Sequence, residues 1–323
     1  MFKLSRYVST GALVVCAVLP QFAVSETYPT RPLRILVGFQ AGGAVDISAR
    51  AIAKHLNDVL RQSVIVDNRP GAAGNIAAGL AARANPDGYT LLMSNSTIAM
   101  PSLFVNLQYD VTRDLQPVSL VAIGPSVLAV HPALPVASIK DLIDLAKAKP
   151  KQLSYGSGGV GNITHLEMEL VRVMTGAEMV HVPYKGAAPS IIGLVGNEVQ
   201  VLFSSIPAAL TQIKSGRIKA VAVSTRKRSS ALPNVPTLDE AGLTGYDAAS
   251  WYGLFAPTGS PASATATLSR ALVKIMQLPE VRERFMADGF EPAGLSPDQF
   301  SRYLREEIAK WAKVVQAAGI KPE

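Results

Sequence analysis

Four short segments of the sequence share one design: an apolar run ends, small, hydroxyl or amide residues follow, and a helical pattern begins. They are Phe39-Gln40-Ala41-Gly42-Gly43, Ser94-Asn95-Ser96-Thr97, the stretch 155–162, and Phe203-Ser204-Ser205. The chemistry such segments do best is to accept an anion. The first N–H groups of a helix have no partner inside it, and the helix dipole adds partial positive charge there. Glycine lets the main chain come close to a bound group, while Ser, Thr and Asn add donors. One such segment alone reads as an ordinary helix cap. Four of them, two in each half of the chain, point to a carboxylate site between two lobes. Open parallel sheets bind ligands beyond the carboxyl ends of their strands, which is where these segments fall.

Other chemistries fit less well. Gly156, Gly158 and Gly161 spell G-x-G-x-x-G. A dinucleotide would also need an acidic residue at the end of the next strand, and that strand ends His181-Val182-Pro183-Tyr184-Lys185. The motif is therefore read as an anion-accepting glycine turn, and no cofactor is expected. His55, His131, His165 and His181 lack metal-ligand spacing, so no metal is expected either. His165 lies in the first turns after the glycine loop, where it is placed to face a ligand. No G-x-S-x-G elbow occurs. Asp46, beside a glycine turn at a helix start, fits a general base or a helix cap. Arg226-Lys227-Arg228 has no interleaved aromatic residues, so nucleic acid is not an expected partner.

The elements that must hold these segments alternate between strand and helix. Segments 33–39, 63–68 and 89–95 read as strands, with helices over 46–60 and 75–84 between them. The second half repeats the order with strands at 152–157, 179–184, 199–205 and 218–225. This alternation implies α/β architecture with a largely parallel sheet and right-handed crossovers. Segment 251–257 is one late strand, and the chain from 263 onward reads as mainly helical. Chain crossings are expected within 117–132 and again near 245–256. The division expected is residues 26–124 with 249–323 for lobe one, and 125–248 for lobe two.

Composition narrows the class further. The chain has 323 residues, enough for about two domains. With 48% hydrophobic and 17% charged residues it is neither disordered nor highly charged. Residues 1–25 have the layout of a secretory signal peptide: Lys3 and Arg6, then an apolar stretch, then Ala23-Val24-Ser25. Its removal takes away the single cysteine, Cys16, and lowers the net charge from +7 by those two cations to +5. An exported protein without cysteine suits an oxidising compartment.

Taken together, the sequence resembles the solute-binding receptors of tripartite tricarboxylate transporters, the Bug (Bordetella uptake gene) family. The resemblance runs from Tyr28 to the carboxyl terminus. It is carried by YPTRPLRILVGFQAGGAVDISAR, VDNRPGAAGNIAA, ANPDGYTLLMSN, LSYGSGGVGNITHLEMEL, HVPYKGAAPSI, LPNVPTLDEAG and WYGLFAPTGSP, in that order. It implies a type II periplasmic binding protein, two α/β lobes closing over a cleft, with a periplasmic location. It implies capture of a di-, tri- or aromatic carboxylate for two membrane subunits of a transporter, by a monomer that is not an enzyme. Carried onto matching positions, Phe39, Gln40, Ala41, Gly42, Gly43 and Asp46 would face the ligand from lobe one, joined by Ser94, Asn95 and Ser96. Lobe two would add Ser157, Gly158, Gly159, Asn162 and His165, then Tyr184, Lys185, Gly186 and Ala187, and finally Ser204 and Ser205. The alternatives are an exported sensor partner of a membrane kinase, and a hydrolase or lyase using Asp46 or His165.

Overall fold

The computed structural model describes residues 28–103 and 106–320. The expected signal peptide lies outside the described residues. The chain begins β1 (Leu33–Val37), α1 (Ala44–Leu60), β2 (Val64–Asn68), α2 (Asn75–Ala82) and β3 (Thr90–Asn95). Next come α3 (Val111–Asp114), the long β4 (Leu115–Val130) and α4 (Ile139–Ala148). Then follow β5 (Ser154–Ser157), α5 (Ile163–Thr175), β6 (Val180–Pro183), α6 (Ala187–Val195), β7 (Val201–Ser205), α7 (Ile206–Lys214) and β8 (Lys219–Val223). The chain closes with β9 (Ala249–Pro257), α8 (Ala262–Ile275), α9 (Pro279–Ala287), β10 (Glu291–Leu295) and α10 (Pro297–Ala318).

Local sequence explains these elements. In α1, Val45, Ala49, Ile52, Ala53 and Leu56 recur at helical spacing and all enter one core. In β1, Leu33, Ile35 and Val37 point into that same core while Leu36 points to the opposite face. Helix α10 starts with a capping box between Ser296 and Gln299, has Pro297 in its first turn, and ends at Gly319 in the left-handed conformation.

Strand order along the sheet is β2-β1-β3-β9-β4-β7-β5-β6, with β8 and β10 also pairing with β4. The two ends match. In each, one strand (β1 or β5) lies between two parallel neighbours, and an antiparallel strand follows (β9 beside β3, β4 beside β7). These are the two α/β lobes. Strand β4 serves both, pairing through Pro125 with β9 and from Ser126 onward with β7. Each sheet is covered on both faces. One lobe packs α1, α8 and α9 on one side and α2 with the first half of α10 on the other. The second packs α4 and α5 on one side and α6 and α7 on the other.

One sequence expectation is corrected here, and another, the mainly helical carboxyl-terminal region, holds with one addition. The sheet is mixed rather than largely parallel, because β4 and β9 run antiparallel to their neighbours in both lobes. Strand–helix alternation dictates parallel pairing only where a helix returns the chain to the same end of one sheet. The connections to β4 and β9 carry the chain between sheets and bring it in from the opposite end. The carboxyl-terminal region also contains a strand, β10, paired with the edge of β4 at Leu120–Ile123. Its sequence, EPAGL, has little intrinsic strand preference, and the exposed edge of β4 supplies what propensity does not.

Candidate functional site

Between the lobes lies a cleft of about 570 Å³, partly open to solvent. One lobe contributes Phe39, Gln40 and the first turn of α1 (Gly43, Ala44, Val45), with Asn95 from the end of β3. The other contributes Gly158, Asn162 and Thr164, the start of α6 (Gly186 to Ser190), and Phe203 with Ser205 at the end of β7. Ser250 and Tyr252, on β9, complete the lining. Among the described residues, no charged side chain lines this cleft.

Three helices open onto it without a side-chain cap. Their N-cap residues are Gly43 for α1, Gly186 for α6 and Ser205 for α7. Their free first-turn N–H groups, which Pro189 of α6 and Pro207 of α7 lack, and their dipoles are thus offered to whatever occupies the cleft. At Gly186 the backbone has φ 113°, a region that L side chains rarely adopt, so the approach of α6 to the cleft depends on glycine there. Ser205 Oγ is buried and has no hydrogen-bond partner within the protein. A buried hydroxyl left unpaired costs about 1–3 kcal/mol, which a ligand acceptor would recover. Beside it, the Tyr252 phenol faces Ser250 and Ser205, and burial pushes its pKa upward.

The loops are braced from behind. Asp46 Oδ2 accepts from Gly42 N at 3.0 Å, and its carboxylate also accepts from Arg50 Nε and, at 2.9 Å, from Asn68 Nδ2. Asn68 Nδ2 donates as well to Phe39 O. Burial acts to raise the Asp46 pKa, but the hydrogen bonds from Arg50, Gly42 and Asn68 outweigh it and hold the group below its ordinary value. In the other lobe, Gly158 N donates to Thr164 Oγ1 at 2.9 Å, and Asn162 Oδ1 caps Thr164 N at 3.1 Å. Gly161 N donates to His165 Nδ1 at 3.2 Å, and Ser157 Oγ lies 2.7 Å from His181 Nε2. Burial lowers His165 to about 4 and His181 to about 3, so both rings are neutral at pH 7. Among the described residues, no three His, Cys, Asp or Glu side chains are grouped to hold a metal ion.

The profile of the tripartite tricarboxylate transporter family receptors matches residues 48–320. This chain belongs to that family. The receptor is 36% identical to Protein BugT of Bordetella pertussis over 314 residues, spanning 96% of each chain. Among solved structures it is similar to the R. palustris protein Rpa4515 with adipate: 37% identity, TM-score 0.89, covering 92% of this chain and 100% of the other. It is also similar to MatC from Rhodopseudomonas palustris with bound malate, at 29% identity and TM-score 0.83, covering 89% of this chain and 100% of the other.

In the receptor, the cleft brings together Phe39, Gln40, Gly43, Asn95, Gly158, Asn162, Gly186, Ala187 and Ser205 from the sequence expectation. A second hollow of about 830 Å³ shares Phe39, Gly158 and Gly186 and adds Gly159, Tyr184 and Lys185. The other expected residues lie outside both linings. Ala41 and Gly42 are exposed at the loop tip, while Ser94, Ser96, Ser157 and Ser204 are buried. Asp46 and His165 face the loops from behind. Sequence reasoning missed Ser250 and Tyr252, because a crossing strand gives no sign of which of its residues meets a cleft. It also missed the Pro70–Gly74 turn of the second hollow. Two glycines in RPGAAG were the available signal, and Gly71 and Gly74 both have positive φ.

Proposed function

We propose that the receptor captures an organic carboxylate in the periplasm and presents it to the membrane subunits of a tripartite tricarboxylate transporter. The carboxylate is held between the lobes by main-chain N–H groups of α1, α6 and α7, together with Ser205 and Asn95. The observation that carries this reading is the convergence of three uncapped helix N-termini on one cleft of neutral lining, with the unpaired Ser205 hydroxyl inside it. A carboxylate leaving water must recover several charge-assisted hydrogen bonds, and this set of donors supplies them without a fixed cation. Relatives bound to adipate and to malate support the same ligand class. Lys185 lines the second hollow, which shares Phe39, Gly158 and Gly186 with the cleft, and would meet the far carboxylate of a longer diacid.

The lobes in this reading are 26–124 with 249–323, and 125–248. The change of partners of β4 at Pro125–Ser126, and the return of the chain from the Ala248–Ser224 contact into β9, support that division. Closure is a hinge motion stabilised by contacts the ligand makes with both lobes at once. Residues 1–25 act as the export signal, and the mature receptor works as a monomer without catalysis.

Calorimetric titration of the ligand-free protein with adipate, malate and hexane-1,6-diol tests this reading. Saturable binding of at least one diacid at one site per chain, with none of the diol, is expected. A folded protein silent to both diacids and to a wider carboxylate panel would overturn it.

A further inference from the structure

Behind the lobe-two loop, three near-parallel aromatic rings cluster. The His181 ring stacks on His165, with centroids 4.1 Å apart and planes 6° apart. Tyr155 lies 4.8 Å from His181 at 18° and 6.4 Å from His165, so the three centroids meet at a corner on His181. The rings come from three separate elements, β6, β5 and α5, and none of them lines either hollow. At one end the Tyr155 hydroxyl meets Glu169 Oε1 at 2.8 Å. Glu169 is paired in turn with Arg172, whose Nη2 donates to Ala318 O at the end of α10. Toward the cleft, the histidine nitrogens end on the glycine loop. His181 Nε2 meets Ser157 Oγ, which accepts from Gly159 N at 3.1 Å. His165 Nδ1 accepts from Gly161 N.

That loop needs outside support. Gly159 and Gly161 have φ 130° and 68°, and their N–H groups take part in neither a strand ladder nor a helix. A segment of this kind keeps one shape only if side chains satisfy its donors. A neutral imidazole offers an acceptor nitrogen on a flat ring that stacks. A protonated ring could not accept from Gly161, and two cationic rings at stacking distance would repel each other.

We propose that His181 and His165 are positioning residues. Their stacked rings set the shape of the 157–161 loop through Ser157 Oγ and the Gly161 N–H, and thereby present Gly158 to the ligand. The last step rests on the carboxylate reading above; the shaping of the loop does not.

The two rings hold different amides, so the test can separate them. Hydrogen exchange is measured residue by residue in the ligand-free protein for His181→Phe, His165→Phe, Ser157→Ala and the Ser157→Ala/His181→Phe double variant. Phenylalanine keeps a ring in the stack and removes the nitrogen. His181→Phe and Ser157→Ala each speed exchange at Gly159 about tenfold, and the double variant adds nothing further. His165→Phe acts at Gly161 and spares Gly159. No change at these amides, or equal acceleration along all of α5, overturns the proposal. Adipate titrations of the same proteins provide the second arm. If wild type binds adipate, His181→Phe binds it at least about tenfold more weakly. Unaltered affinity despite a loosened loop would overturn the link to the ligand. If the amides respond as stated but neither wild type nor any variant binds any carboxylate, the loop-shaping role stands and the carboxylate reading falls.

Discussion

Ser205 and Glu167 are both buried with oxygen atoms that find no partner, yet physical chemistry gives them opposite meanings. Ser205 Oγ belongs to the cleft lining, and in the carboxylate reading proposed above its missing partner is a ligand atom. Ser205→Ala is expected to weaken carboxylate binding roughly 10- to 100-fold, since one charge-assisted hydrogen bond contributes ~1.5–3 kcal/mol. Its melting temperature should stay near the wild-type value, because the hydroxyl makes no hydrogen bond within the protein; calorimetry and thermal melts check the pair. Glu167 is fully buried on α5, away from the cleft lining. Burial pushes its carboxyl up to about 8, and the nearby Ser126 and Ser224 hydroxyls and Lys310 offset only part of that. Between its ordinary value near 4.5 and about 8, the folded protein holds a proton that the unfolded chain has released. Stability therefore falls as pH rises through that window, by up to ~1.4 kcal/mol per pH unit. Glu167→Gln should remove this slope, so the variant gains on wild type from pH 5 to 8 in denaturant titrations. A constant difference across that range would refute the assignment. His165 and His181 tilt the balance the other way. Their depressed values mean that stability is complete above about 6.5 and is lost as pH drops toward 4. None of this was legible in the sequence. Histidine 165 read as a ligand-facing residue, and only the packing of β5, β6 and α5 turned its ring toward the main chain instead.

Among the elements, α10 has the most demanding position. Phe300 and Leu304, in its first half, pack into one lobe's core with Trp251 and Phe255, while Trp311 and Val315, further along, pack into the other's with Phe203 and Tyr246. Midway, Glu307 Oε2 accepts from both Trp251 Nε1 and Trp311 Nε1 at 3.0 Å, tying the helix to the crossing strand β9. Lys310 balances its charge. Glu307→Ala should leave two buried indole N–H groups unpaired, a loss of about 1–3 kcal/mol for each. Denaturant unfolding followed by tryptophan fluorescence measures it, and a change below about 0.5 kcal/mol would mean that water replaces the carboxylate. The heptad-like spacing of apolar residues in α10 announced a helix plainly. Which lobe that helix would serve was not encoded in its period, because both halves carry equally apolar faces. Most strands were equally readable, whereas β10 was not, since its partner edge rather than its composition makes it a strand.

At the scale of the whole molecule, β4, β9 and α10 couple the lobes. Strand β4 pairs with β9 and β10 along its first part and with β7 and β8 along its second, without interruption. Two lobes sharing a strand and a helix should unfold as one unit. Differential scanning calorimetry is expected to give a single transition whose calorimetric and van't Hoff enthalpies agree, and two resolved transitions would show that the shared elements do not transmit cooperativity. In the closure proposed above, β4, β9 and α10 are the elements that cross between the lobes, so a hinge motion would bend them.

The sequence by itself determined the α/β character and the positions of the loops: apolar period separated strand from helix, and glycine and hydroxyl residues marked where strands end. These signals are local, set by backbone geometry within a few residues. Only the tertiary structure decided which of those loop residues look into the cleft and which hold the loops from behind. That choice depends on how β5, β6 and α5 stack their side chains, and on the two strands that cross between lobes. Ser157 and His165 could not be told from ligand contacts until Tyr155, His181 and Gly161 were seen around them. The floor of the cleft, Ser250 and Tyr252, entered for the same reason: it is supplied by a strand that reaches the site only after the chain has built both lobes.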